Sequence, residues 1–161
     1  MNKITDFVCK RLLKMNIKIP IHRVSISVVS KERLYRLAGN SDENLLGLTV
    51  SEDMFIGMLH HIYIREGLSL FSYIETLSHE FGHVWLNDTR SPLNRSSLAE
   101  VEGFCNLLAF KIFQNGTSRK SRKVRERLLN NPDPIYGDGF RMMKKKAERI
   151  GWTAFLQQAR Y

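Results

Sequence analysis

The stretch Leu77-Ser78-His79-Glu80-Phe81-Gly82-His83-Val84-Trp85-Leu86 constrains this chain more than any other part of it. Leu70, Ile74, Leu77, Phe81, Val84 and Trp85 recur at helical spacing and predict one buried stripe on a continuous helix. His79 and His83 are four residues apart, so they stack one turn apart on the opposite side, where two imidazoles can reach a single metal ion. Glu80 lies beside them as a candidate general base. A fold built on this helix must bury one face and leave the other open to a cleft. A solvated helix with two surface histidines has the same spacing, so the deciding requirement is a third ligand: a catalytic zinc takes three protein ligands and keeps one position open.

The segment from Ser97 to Phe110 offers two carboxylates. Leu98, Val101, Cys105, Ala109 and Ile112 predict the inward stripe of a second helix; Glu102 sits on its flank, whereas Glu100 points nearly the opposite way. Glu102 is therefore the expected third ligand, because a carboxylate at the edge of an apolar face needs a cation beside it. Asn106, one turn on, is placed to hold a ligating imidazole or carboxylate. Cys105 reads as a small buried apolar side chain.

At 161 residues and 43% hydrophobic content, the chain fits one domain, residues 1–161, with a core of its own. Cys9 and Cys105 are far apart and fit no disulfide framework, which agrees with a reducing compartment. Charges at Lys3, Asp6, Lys10, Arg11 and Lys14 interrupt the N-terminal stretch from Met1 to Lys18, so it lacks the unbroken apolar core expected of a signal peptide, and no stretch approaches a membrane span. The expected location is cytoplasmic, with signal-independent export open. The net charge of +9 is uneven: from Thr117 to Arg149, eleven Lys or Arg stand against four acids. Such a face suits acidic substrates or phosphate backbones, and equally a solvated surface; it contains no interleaved aromatics and no nucleic-acid-binding motif.

In chain order, Ile4 to Met15 predicts an amphipathic helix, Val24 to Val29 a strand, and Gly39-Asn40-Ser41-Asp42 a loop before a short strand at Leu46 to Val50. Met54 to Arg65 predicts one long strand, with Met54, Ile56, Met58, His60, Ile62 and Ile64 on one face. As a sheet edge above the cleft, that strand could pair with an extended peptide. His60 and His61 point to opposite faces, so at most one could join the metal site. His22 has no partner spacing. After the metal helix, Asn87-Asp88 and Ser91-Pro92 predict a turn. The Glu102 helix is expected to stop at Asn115-Gly116, followed by a basic helix from Ser118 to Leu129, a rigid loop Asn131-Pro132-Asp133-Pro134 and a last helix from Gly139 to Gln158, broken near Gly151. The fold class is α+β: a small mixed sheet packed on an active-site helix, then a mostly helical C-terminal half.

His79-Glu80-x-x-His83, Glu102-Gly103-Phe104-Cys105 and Tyr136-Gly137-Asp138-Gly139-Phe140 together resemble the peptidase domain of the DA-one family, plant organ-size regulators that combine LIM domains with a C-terminal zinc peptidase. The likeness runs from about Arg33 to Phe155 and includes Gly47-Leu48 before Ser51-Glu52, and Gly67-Leu68. It implies a zincin-like, gluzincin-type metallopeptidase with one zinc ion per chain held by His79, His83 and Glu102, and Glu80 as catalytic base. With no LIM or ubiquitin-interacting segment before it, the domain is expected to stand alone, and the family's ubiquitin-dependent activation and clients do not transfer. Tyr136, in the proline-flanked loop, is the candidate second stabiliser of a tetrahedral oxyanion. Asp138 is placed either to orient a histidine or to cap the last helix. The expected partner is a protein or peptide substrate, with acidic ones suited to the net charge. Two other classes stay open: a basic nucleic-acid-binding module with a structural zinc, and an inactive adaptor that keeps the fold for protein contacts.

Overall fold

A computed structural model describes residues 3–40, 42–55 and 57–161. Met1, Asn2, Ser41 and Ile56 lie outside the described residues, so the loop position of Ser41 and the strand position of Ile56 are not addressed. The elements are α1 (Lys3–Leu13), β1 (Val24–Val29), α2 (Lys31–Ala38), β2 (Gly47–Met54), β3 (Gly57–Arg65), α3 (Leu70–Asp88), α4 (Leu98–Phe113), α5 (Arg119–Leu129), α6 (Gly139–Ile150) and α7 (Trp152–Arg160). The fold is α+β, with three strands and seven helices among the described residues. No helix among them is long and apolar enough to cross a membrane.

The sheet order is β1-β3-β2, with β1 parallel and β2 antiparallel to β3. The single strand expected from Met54 to Arg65 is instead split: Met54 ends β2, the chain turns at Phe55, and Met54 pairs with Gly57. Gly57 has φ +113°, which only glycine adopts at little cost, and this is the turn signal the period-two pattern overrode. The edge expected of β3 belongs to β2, because β3 has a partner on both sides. Register places Gly47 opposite Ile64, Thr49 opposite Ile62 and Ser51 opposite His60. Those residues share the face that packs on α3, where Ile62 and Ile64 are fully buried.

Between β1 and β2 runs α2, a helix absent from the sequence expectations. Its polar sequence hides any apolar stripe and Leu34 is its one buried side chain, but its ends are signalled: Ser30 Oγ accepts from Arg33 N, and Gly39 closes it at φ +68°. On α3 the apolar stripe is buried as expected from Ile74 to Trp85, whereas Leu70, the first helical residue, is exposed. Beneath it, α4 is buried nearly all round, from Glu102 to Ala109 without a break, as befits the central helix. Its expected inward stripe begins one turn late, since Leu98 is exposed. Trp85, Phe104, Phe155 and Trp152 stack in sequence with centroids 5.4–6.0 Å apart, tying α3, α4 and α7 together. Fully burying a side chain such as Phe104 contributes about 1.5–3 kcal/mol.

Candidate metal centre and cleft

Two glycines let three helices converge. A Cβ on Gly82 would come within 2.7 Å of Cys105 Sγ and 2.9 Å of Cys105 Cα, so α3 and α4 touch directly beside the two histidines. A Cβ on Gly103 would sit 2.3 Å from the Gly139 carbonyl oxygen, which brings α6 and the turn before it against α4. A capping box fixes the start of α4: Glu100 N donates to Ser97 Oγ and Ser97 N donates to Glu100 Oε2. Glu100 is thereby used at the helix end, and Glu102 is left to face α3.

The result is a cluster of three ligand atoms. His79 Nε2 and His83 Nε2 are 3.2 Å apart, and Glu102 Oε2 lies 3.0 Å from the first and 3.6 Å from the second. Donors at bond lengths of about 2.0–2.1 Å around a tetrahedral zinc are about 3.3 Å apart, so the spacing fits such an ion. Although in ion-pair contact with both rings, Glu102 Oε2 is a buried acceptor with no hydrogen-bond partner. His79 Nδ1 faces Asn106 Oδ1 at 2.8 Å, while Asn106 Nδ2 donates to the Tyr136 carbonyl at 3.0 Å. That carbonyl can only accept, so the amide orientation is fixed. Nδ1 of His79 must then carry the proton, and its Nε2 turns a lone pair inward when the ring is neutral.

Lone pairs and a carboxylate oxygen this close require a positive charge among them, either a proton or a metal ion. With a proton, burial works against charging His79, but the contact and charge of Glu102 more than offset it and push its pKa up to about 9. Burial likewise favours neutral Glu102, and the two histidines override it to hold the carboxyl well below the usual carboxylate range. Cys105 enlarges the cluster: the ligand atoms of His79, His83 and Cys105 lie within 4.8 Å of one another and could hold a metal ion. Burial, then the charges of Glu102 and Glu80, keeps the Cys105 thiol well above its ordinary pKa.

His79, His83, Glu102 and Asn106, but not the buried Cys105, line a cleft of about 840 Å³. One wall is the free edge of β2 and the strand entrance, Leu45 to Thr49; the floor is α3, from Glu75 to Asn87; the far wall is the end of α5 and the loop from Asn130 to Tyr136. A second hollow of about 230 Å³, against Trp85 and α7, shares no residue with it. Glu80 is buried on the floor, where its Oε2 accepts from Thr49 Oγ1 at 2.7 Å. Gly47 makes room for it, since a Cβ there would be 2.5 Å from Glu80 Oε1.

Tyr136 also lines the cleft, on a π-helical turn (Pro134–Asp138) whose start is held by Asp133 Oδ1 accepting from Ile135 N and Tyr136 N, each at 2.8 Å. Burial, then the charges of Glu102, Asp42, Asp133 and Glu80, raises its phenol to about 12, so it stays a proton donor. Asp138 does neither of the things expected of it. It makes no cap hydrogen bond and does not line the cleft; its carboxylate pairs with Arg141 at 2.5 Å. His60 is buried against Ser51 and Asp88, and His61 pairs with Ser25 on the other face of the sheet, so neither joins the cluster. Sequence reasoning missed Thr49, Gly47, Asn87 and the Arg127–Glu75 ion pair, all in the cleft lining. Gly47 left a trace as part of the motif behind the resemblance, and Asn87 was expected only in a turn at Asn87-Asp88, whereas Asn87 and Asp88 both belong to the last turn of α3. No protein-family model, no curated protein and no solved structure matches the chain, so that resemblance stands on its motifs alone.

Proposed function

We propose that this chain is a zinc-dependent endopeptidase of gluzincin type on a zincin-like fold. The observation that carries the proposal is the orphaned, buried Glu102 Oε2 facing two histidine nitrogens at 3.0 and 3.6 Å, with Glu80 beside it in an open cleft. His79, His83 and Glu102 would hold the ion. Glu102 is preferred to Cys105 because its carboxyl is already ionised, whereas the Cys105 thiol resists ionisation. Bound there, zinc supplies a Lewis acid that makes water acidic near neutral pH.

The chain's own residues account for the rest. The free edge of β2 offers unpaired backbone groups that can hold an extended peptide across the floor of the cleft. Glu80, aimed by the Thr49 hydroxyl, takes a proton from the attacking water and passes it to the leaving amine. The Tyr136 phenol keeps its proton and can donate it in a hydrogen bond to the developing oxyanion. Asn106 fixes the His79 ring and, through the Tyr136 carbonyl, couples it to the turn that carries the phenol. A nucleic-acid-binding role fits this cleft poorly, because Asp42, Glu75, Glu80, Glu102 and Asp133 line it against a single arginine, Arg127.

The test is Glu80→Gln. It should retain zinc at wild-type stoichiometry while kcat on a cleavable peptide falls by about 10²–10⁴. Activity equal to wild type would remove Glu80 as the base and with it this mechanism.

A further inference from the structure

The N-terminal half of α5 has a charge pattern that folding does not explain. Arg119, Lys120, Arg122 and Lys123 fill its opening turns with no acid in the first turn, at the end where the helix dipole already favours negative charge. All four are exposed. Arg119, Arg122 and Lys123 have no acidic partner within ion-pair distance among the described residues, and Lys120 stands over the Phe71 ring at 5.6 Å. The other end of the helix is different: Arg127 pairs with Glu75, and both line the cleft. Those two contacts, Lys120 on Phe71 and Arg127 on Glu75, lay α5 alongside the start of α3, so the basic turns lead towards the cleft.

We propose that the exposed cations Arg119, Lys120, Arg122 and Lys123 dock an acidic segment of the peptide substrate outside the cleft. This rests on the hydrolytic reading above for the identity of the docked chain as substrate. The lining of the cleft repels such a segment, for Asp42 and Asp133 add to Glu80 and Glu102 there, while Glu75 is paired with Arg127. Negative residues are thus favoured at a distance from the cut and disfavoured beside it. Helix rise puts Arg119 about 12 Å from Arg127, the span of about four extended residues, so the acidic run should begin about two to four residues beyond the cleft. A peptide is favoured over nucleic acid as occupant because the same chain must continue along an acid-lined cleft, where a phosphate backbone meets repulsion at each step.

Binding is tested first without hydrolysis, by fluorescence anisotropy of a labelled hexaglutamate peptide on the full chain with EDTA present. Affinity should fall steeply as salt rises, and should drop at least tenfold when Arg119, Lys120, Arg122 and Lys123 are all changed to Gln, with the far-ultraviolet circular dichroism unchanged. No binding at low salt, or equal binding by the variant, overturns the proposal. Tighter binding of a single-stranded oligothymidylate with six phosphates would assign the surface to nucleic acid instead. In the kinetic arm, a cleavable neutral peptide is compared with the same peptide carrying a three-residue spacer and four glutamates. The extension should raise kcat/KM at least tenfold for wild type and not for the variant, while the unextended peptide is cut equally by both. Cleavage with no gain from the extension defeats this inference alone; hexaglutamate binding by a chain that cleaves nothing defeats the hydrolytic reading and leaves the surface standing.

Discussion

At the scale of single residues, the chemistry turns on the coupling between Glu102 and His79. In the metal-free chain His79 is raised from 6.5 to about 9, and Glu102 is lowered from 4.5. The raised histidine contributes stability that is complete below pH 6.5 and fades as pH climbs through about 9; the lowered carboxyl contributes stability that is present above pH 4.5 and fades as pH drops below it. A metal ion must displace the His79 proton, so zinc affinity should rise about tenfold per pH unit up to about pH 9, as measured by competition with a chromophoric chelator. Glu102→Gln removes the partner that holds the proton. Its affinity should be lower throughout and should level off at a lower pH. A wild-type affinity that is flat between pH 6 and 9 would show that the His79–Glu102 pair is not where the ion binds.

At the scale of elements, close approach decides which side chains meet. His79, Glu80 and His83 were legible in the sequence because one helix carries all three, and periodicity alone puts the imidazoles on one side. Glu102 was legible for the same reason within α4, where the choice against Glu100 agrees with the use of Glu100 in the capping box. Thr49 was not, because its contact with Glu80 depends on the register of β2 against β3 and on how the sheet lies over α3, neither of which local pattern encodes. The hairpin at Phe55 was lost for a related reason: apolar alternation runs across the turn unbroken, and only Gly57 betrays it. Gly47→Ala isolates one such approach. Its Cβ would meet Glu80 Oε1 and Thr76 Cγ2 at 2.5 and 2.7 Å, so the carboxylate must shift, while no atom of His79, His83 or Glu102 is among the three nearest to that Cβ. On the hydrolytic function proposed above, peptidase activity should fall about a hundredfold with zinc content unchanged. Undiminished activity would show that Gly47 has no part in placing Glu80.

At the scale of the molecule, the sheet, α3 and α4 form a layered scaffold, and the later elements close the cleft over it. The C-terminal half reads well as separate helices, but its arrangement around α4 rests on Gly103 and Gly139, whose close contacts no composition count reveals. Charge is partitioned on the same scale: the chain carries +9 overall, while the cleft is lined by Asp42, Glu75, Glu80, Glu102 and Asp133. That partition suits the metal centre proposed above, since no lysine lines the cleft to neutralise its carboxylates. The most direct test of the metal centre is zinc K-edge X-ray absorption on the chain loaded with one equivalent of zinc. The account predicts a shell of nitrogen and oxygen at about 2.0–2.1 Å, with the outer-shell signature of two imidazoles and no sulfur. A sulfur scatterer at about 2.3 Å would transfer the third position to Cys105, and a shell without imidazole would contradict the centre altogether.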